Sequence, residues 1–110
     1  MKFAIALIAA VLSAQAVAAT HSENVEATPE QRCAYLAEYA SDVAIVRDLG
    51  VSKADVIDIA KEQYRNVILD AHIKVIGMTY GNPQFTPEQM HDGLLEGCLY
   101  SVAQEHKKNR

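Results

Sequence analysis

The sequence predicts an all-α protein, a small three- to four-helix bundle with one disulfide joining the first and last helices. Three observations lead to this prediction. The tetrapeptide Thr-Pro-Glu-Gln, a strong helix-start signal, occurs at Thr28–Gln31 and again at Thr86–Gln89. Apolar residues after each copy recur at the three- and four-residue spacing of one helix face. One cysteine follows each copy, at Cys33 and at Cys98.

Each residue of the repeated tetrapeptide suits its position at a helix start. Threonine is an N-cap whose hydroxyl accepts from a free backbone N–H, and proline at the first helical position loses no hydrogen bond. Glutamine two residues after the proline can reach back to the cap and complete a capping box. The glutamate complements the positive end of the helix dipole. We therefore expect helices to begin at Pro29 and Pro87.

The first helix is predicted to run from Pro29 to about Leu49, where Gly50 is suited to end it. A second helix is predicted from Lys53, because Ser52 can cap it and Asp55 stands at the third position. Their predicted inner faces are Cys33, Leu36, Ala37, Ala40, Val43 and Ala44 in the first, and Val56, Ile59, Ala60, Tyr64 and Val67 in the second.

Residues 67–81 are rich in β-branched side chains, but no second strand is available to pair with them. We therefore predict helix here, either a continuation of the second helix or a third helix after a break near Arg65 and Asn66. Gly81-Asn82-Pro83 should end it.

The last helix is predicted from Pro87 to about His106, with its inner stripe at Met90, Leu94, Cys98 and Val102. Gly93 and Gly97 each cost about 1 kcal/mol relative to alanine inside a helix. We expect close approach to the small-residue face of the first helix to compensate for them.

Residues 1–18 are predicted to be a cleaved signal peptide. Lys2 precedes an apolar stretch of about ten residues, which is too short to span a bilayer, and Ala-x-Ala cleavage sites follow. We place cleavage after Ala18, with the bond after Ala19 as the alternative, a flexible polar linker at 19–27 and one helical domain at 28–110. The protein is therefore expected in the periplasm or outside the cell, without stable membrane insertion after cleavage.

Two cysteines in an exported chain most often form one disulfide. Cys33 and Cys98 lack the spacing of a redox or zinc motif, so we predict a structural bridge between them.

After signal cleavage the chain keeps nine basic and fourteen acidic residues, a formal charge of −5. That balance argues against a nucleic-acid partner, which needs a clustered basic face. It favours a protein partner, and a cationic one in particular.

The sequence shows no constellation typical of catalysis. Glu88 and His91 have Glu-x-x-His spacing, but a di-iron site needs two such pairs. His72 in its apolar context is better explained as a hydrogen-bonded core histidine. No nucleophile elbow or phosphate-binding glycine loop is present, so we predict no enzyme, no cofactor and no metal.

Tyr35 and Tyr39 lie one turn apart on the flank of the first helix, next to Glu38 and Asp42. Tyrosine is enriched at protein interfaces because it joins a large apolar body to a polar tip. We predict that these four residues form a partner-binding surface, with ordinary packing at the edge of the core as the alternative.

The combination of signal peptide, short helical chain and two distant cysteines resembles small periplasmic proteins of Gram-negative bacteria. It resembles the immunity proteins that neutralise type VI secretion amidases, acid-stress periplasmic chaperones, or another family of the same build. The resemblance implies a non-enzymatic protein that acts by binding another protein. An acid- or stress-responsive chaperone is the alternative, and a small enzyme is a second alternative.

Overall fold

A computed structural model of the protein describes residues 27–109. The predicted signal peptide, nearly all of the predicted linker and Arg110 lie outside the described residues. The described part contains four helices and no strand: α1 (Pro29–Asp48), α2 (Lys53–Gln63), α3 (Asn66–Gly81) and α4 (Pro87–Lys108). The all-α prediction is confirmed, and α4 ends two residues beyond the expected His106.

Both Thr-Pro-Glu-Gln sequences form capping boxes. The Gln31 N–H donates to the Thr28 hydroxyl at 3.1 Å, and the Thr28 N–H donates to the Gln31 side chain at 2.8 Å. In the second copy the Gln89 N–H donates to the Thr86 hydroxyl at 3.1 Å, and the Thr86 N–H donates to the Gln89 side chain at 2.9 Å. The two reciprocal bonds satisfy backbone donors that a helix start leaves unpaired.

The third helix is separate from the second. Tyr64 and Arg65 are extended, with ψ of 158° and 155°, and interrupt the helical hydrogen bonds. Asn66 follows with a φ of 58°, a left-handed conformation that asparagine adopts more readily than most residues. The break near Arg65 and Asn66, one of the two predicted alternatives, is the one observed.

The break also changes which side chains face inward. Val67 was placed on the inner face of a continuous helix, but it is 79 % exposed because the two extended residues reset the helical phase. Ile59 is 50 % exposed, so that assignment is also wrong. Val56 and Ala60 are buried as predicted.

Successive helices along the chain run in opposite directions. Cys33 is bonded to Cys98 at one end of α1, and Arg47 contacts the backbone of Phe85 at the other, so α1 and α4 are antiparallel. α1 also packs against α3, and α3 packs against α2. Side by side, the order is therefore α4, α1, α3, α2.

Two apolar clusters form the core, and each joins three helices. Ala40 and Ala44 of α1 meet Val75 of α3 and Met90 of α4 in one cluster. The other consists of Val43, Val56, Ala60 and Ile76. Small side chains on α1 allow α4 to come close, and Cβ-branched or larger side chains fill the space toward α2 and α3.

The predicted disulfide is confirmed. Cys33 and Cys98 are bonded across 65 positions of sequence, with their Cα atoms 5.6 Å apart. Such a separation is within the usual range for a bridge. Cys33 is completely buried, so the bridge attaches the start of α1 to the middle of α4 inside the α1–α4 interface.

The expectation for Gly93 and Gly97 is wrong. A Cβ atom at either position would meet no other described residue within 4 Å, and both residues are exposed. The stripe of Met90, Leu94 and Cys98 faces α1, and the two glycines lie on a different side of α4. They do not allow a close helix contact.

None of the helices in the described part of the chain has both the length and the apolar character needed to cross a membrane.

Candidate functional site

His72 lies at the centre of a group of aromatic side chains between α1 and α3. His72 is buried, with only 2 % of its surface exposed. Tyr35 and Tyr39 reach it from α1, and Tyr64 reaches it from the extended junction between α2 and α3. We call these four residues the Tyr–His cluster.

The three tyrosine rings surround the imidazole closely. Tyr64 is stacked on His72, with ring centroids 3.7 Å apart and planes inclined by 18°. Tyr39 meets it edge to face at 4.5 Å, and Tyr35 does so at 5.6 Å. The two edge-to-face contacts suit the charge distribution of aromatic rings. The cluster is therefore a packed unit that restricts the rotation of its members.

Hydrogen bonds assign the tautomer of His72. Nδ1 lies 2.7 Å from the carbonyl oxygen of Ile68, which can only accept, so Nδ1 carries the hydrogen. In the neutral ring Nε2 is then an acceptor, and it lies 3.1 Å from the Tyr35 hydroxyl. Tyr35 therefore donates to His72, and the Tyr64 hydroxyl, 3.2 Å away, donates to Tyr35.

Burial determines the proton affinities in the Tyr–His cluster. Burial lowers the pKa of His72, against a smaller opposite effect from the bond to the Ile68 carbonyl. Burial, together with the neighbouring Tyr64 and Asp42, raises the pKa of Tyr39 to about 12. Burial and the adjacent Tyr64 hydroxyl also raise the pKa of Tyr35 far above its ordinary value. His72, Tyr35 and Tyr39 are therefore neutral at pH 7.

Two carboxylates lie next to the Tyr–His cluster on α1. Glu38 and Asp42 are both on the solvent side of the helix. Partial burial and the neighbouring Glu38 raise the pKa of Asp42. Neither carboxylate takes part in an ion pair among residues 27–109, where the ion pairs are Arg47 with Asp48 and His91 with Asp92. Their negative charge is thus not neutralised within the described part of the chain.

The four residues of the predicted binding surface lie together on one flank of α1. Tyr35 is 50 % exposed even though its hydroxyl is bonded inward. Tyr39 is half-buried and packs against both core clusters. Glu38 and Asp42 are exposed. Half of the surface of Tyr35 is thus open to solvent, whereas Tyr39 packs mainly against the core.

Sequence reasoning missed that Tyr64 and His72 belong to the same place. The Tyr35 hydroxyl meets residues 29 and 37 positions further along the chain. No local pattern links positions so far apart. The one available signal is that Tyr64 directly precedes the break at Arg65, where a large side chain can turn back over a neighbouring helix.

The Glu-x-x-His pair of α4 is not assembled into a larger site. His91 Nδ1 lies 2.9 Å from Asp92 on the surface, and Glu88 is in the first helical turn. Within residues 27–109, no three His, Cys, Asp or Glu side chains are grouped so that they could hold a metal ion.

Comparisons with protein-family models, with curated proteins and with solved structures returned no match for this chain.

Proposed function

We propose that this is an exported, non-enzymatic protein that binds another protein through the surface formed by Tyr35, Glu38, Tyr39 and Asp42. The half-exposed Tyr35 carries the proposal. Its hydroxyl is held by both His72 and Tyr64, yet half of its surface remains open to solvent. An aromatic side chain that is already fixed loses little conformational entropy when a partner covers it.

The charge around Tyr35 supports a cationic partner. Glu38 and Asp42 lie beside it without an ion-pair partner in the described part of the chain. A lysine or arginine of the partner could contact a carboxylate and the tyrosine face together, and the cation–π contact stabilises by about 0.5–1 kcal/mol at an exposed site. The acidic excess of the whole chain, −4, acts in the same direction at longer range.

Binding to a purified partner tests the proposal. The partner would be captured by cross-linking from a periplasmic extract, purified, and titrated against the mature protein by calorimetry. We expect Tyr35→Ala to weaken binding by about tenfold or more, a loss typical of interface anchors. The Glu38→Gln/Asp42→Asn double variant should slow association and reduce its dependence on salt.

Tyr100→Ala is the matched control, because Tyr100 is 67 % exposed on α4, on another part of the surface. It should bind like the unaltered protein. Equal losses for Tyr35→Ala and Tyr100→Ala would contradict the assigned surface, and failure to capture any partner would contradict the function.

Export supports the same proposal and has its own test. The disulfide is typical of proteins that fold in an oxidising compartment. The intact mass of the protein from a periplasmic fraction should correspond to a chain that begins at Ala19 and lacks two hydrogens. A full-length chain in the cytoplasm would contradict export.

A specific form of this proposal is an immunity-type role, because the chain resembles the immunity proteins in its short helical build and its two distant cysteines. It predicts that the mature protein inhibits a type VI secretion amidase in a peptidoglycan-hydrolysis assay. Inhibition should be lost with Tyr35→Ala and kept with Tyr100→Ala.

A chaperone that responds to acid is the second candidate, and the buried neutral His72 favours it. Protonation would place a charge in a site 2 % exposed, which opposes folding as the pH falls. A chaperone of this type should suppress the aggregation of denatured client proteins at about pH 2–3 and not at pH 7. A protein that stays folded and inactive in acid would contradict this role.

A further inference from the structure

We propose that protonation of His72 reverses the hydrogen-bond chain from Ile68 through His72 and Tyr35 to Tyr64, and that this reversal weakens the binding of a cationic partner next to it. The reversal stands on the geometry of the Tyr–His cluster alone. Its effect on binding rests on the proposed function.

In the neutral state every bond of the chain has one direction. The Ile68 carbonyl accepts from Nδ1, and Nε2 accepts from Tyr35. The Tyr35 oxygen accepts from Tyr64. The last hydroxyl in the chain has then used its hydrogen internally, so the outer end of the cluster offers oxygen lone pairs to solvent or to a partner.

When His72 is protonated, the hydrogen bonds between His72 and Tyr35 and between Tyr35 and Tyr64 must both reverse direction. An imidazolium donates from both nitrogens, so Nε2 must donate to the Tyr35 oxygen. Tyr35 then directs its hydrogen toward Tyr64, and Tyr64 directs its own hydrogen outward. No side chain has to move, because both directions use the same distances of 3.1 and 3.2 Å.

The groups around His72 do not offset a positive charge directly. α1 supplies the neutral hydroxyls of Tyr35 and Tyr39, the α2–α3 junction supplies Tyr64, and α3 itself supplies the Ile68 carbonyl. Among residues 27–109, α4 gives His72 no hydrogen-bond or ionic partner, and His72 takes part in no ion pair. On α1, Asp42 acts on the two tyrosines Tyr35 and Tyr39, and Glu38 acts on Asp42.

Both consequences of protonation oppose a cationic partner. The imidazolium lies beneath Tyr35 and Tyr39, where it repels a cation placed on their outer faces. The outward Tyr64 hydroxyl also turns its hydrogen toward the partner and uses one lone pair to accept from Tyr35, so it offers a lysine or arginine fewer acceptor sites. Binding should therefore be strongest when His72 is neutral.

Nuclear magnetic resonance tests the reversal directly. The ¹⁵N shifts of the imidazole, followed from about pH 8 to pH 4, should show a neutral ring protonated at Nδ1 that takes up its proton below the ordinary histidine value of 6.5. The hydroxyl of Tyr35 should change from donor to acceptor toward Nε2 in the same transition. A ring protonated at Nε2 in the neutral state, or a Tyr35 hydroxyl whose role toward Nε2 does not change when the ring takes up its proton, would overturn the reversal.

Affinity for a basic probe tests the coupling. The probe is a synthetic hexapeptide of alternating lysine and arginine, titrated at about pH 7.5 and pH 5 against the disulfide-bonded mature protein and its His72→Gln variant. Glutamine can keep the bond to Tyr35 but does not titrate. The unaltered protein should lose at least about fivefold more affinity in acid than the variant, a factor at the low end of measured couplings.

The variant separates the effect of His72 from that of the carboxylates, because Glu38 and Asp42 are present in both proteins. Equal losses in the two proteins would overturn the coupling. If the peptide does not bind at about pH 7.5 while the imidazole shifts report the reversal, the binding half fails together with the proposed function, and the reversal is retained. Should His72→Gln not fold, Tyr64→Phe, which lacks the outer hydroxyl, replaces it and should lose less affinity in acid than the unaltered protein.

Discussion

His72 shows how a polar side chain becomes acceptable inside a small helical domain. It is 2 % exposed, but both ring nitrogens have partners, and no buried side-chain nitrogen or oxygen among the described residues lacks one. An unpaired buried polar group would cost about 1–3 kcal/mol. The same bonds that satisfy His72 hold Tyr35 at the surface, so one residue serves the core and the candidate binding surface.

Alkaline pH should destabilise the protein through the Tyr–His cluster. The pKa of Tyr39 is about 12 in the folded protein and 10.0 when unfolded. Between these values the unfolded chain has released a proton that the folded protein still holds, so stability falls as the pH rises. The stability that Tyr39 contributes is fully present below about pH 10, and it is lost as the pH rises from about 10 to about 12.

Urea unfolding followed by circular dichroism at several pH values between about 9 and 11 measures this loss. Tyr39→Phe should show a shallower decline above pH 10 and the same slope as the unaltered protein near pH 9. Parallel declines for the two proteins across the whole range would contradict the assignment to Tyr39.

Arg47 is a second residue whose side chain connects distant backbone. Its side chain is 7 % exposed, and its guanidinium donates to three carbonyl oxygens at the α3–α4 turn, those of Thr79, Asn82 and Phe85. Arg47→Met should lower stability by about 2–4 kcal/mol, because at least two partly buried acceptors lose their donor. Chemical denaturation measures the difference.

Arg32→Met is the matched control, because Arg32 is exposed and, within residues 27–109, donates only to the Ala27 carbonyl. Its effect should stay within about 0.5 kcal/mol, as for most surface substitutions. A small effect of Arg47→Met would show that water replaces the guanidinium at these carbonyls.

The helices differ in how well their sequences suit them. α1 and α4 have full capping boxes, α2 has a serine cap, and α3 begins at Asn66 without a side-chain cap bond. α4 nevertheless contains two exposed glycines whose Cβ positions are open. The helix propensity of α4 is therefore lower than it could be, because the space around both glycines would admit alanine.

Gly93→Ala and Gly97→Ala should each stabilise the protein by about 0.5–1 kcal/mol. Alanine has less conformational freedom than glycine in the unfolded chain, and nothing lies within 4 Å of the added methyl group. Thermal unfolding measures the change.

Gly50→Ala is the control of opposite sign. The position also has open space, but its φ of 93° is unfavourable for a residue with a Cβ atom, so the variant should be less stable. Destabilisation by all three substitutions would mean that Gly93 and Gly97 face a neighbour in the working protein.

The disulfide connects α4, which lies at one edge of the bundle, to its neighbour α1. α4 packs mainly on α1, and the bridge joins the two near the end opposite Arg47. Cys33→Ala/Cys98→Ala should lower the free energy of unfolding by about 2–5 kcal/mol, because the unfolded chain loses a constraint over 65 positions.

Denaturation of the variant beside the oxidised protein and the chemically reduced protein tests this value. The reduced protein should resemble the double variant, and the substitution of the buried Cys33 adds only a small volume change. Equal stability of all three, or an intact mass that shows two free thiols, would contradict a structural bridge.

Local signals in the sequence were sufficient for most of the helix boundaries. Thr28 and Thr86 start helices through bonds to residues three positions away, and Gly50 ends one through its own backbone freedom. The stripe from Cys33 to Ala44 also follows from helical spacing alone. Interactions of this range are complete within a few residues, so the sequence displays them directly.

Other features depended on contacts between distant residues. The inward or outward direction of Val67 followed from the break at Arg65, and the open surroundings of Gly93 and Gly97 followed from the side of α4 that faces α1. The assembly of Tyr35, Tyr64 and His72 required three segments to meet across 37 positions of sequence. Their hydrogen bonds and burial exist only in the packed bundle, because no helix can form them alone.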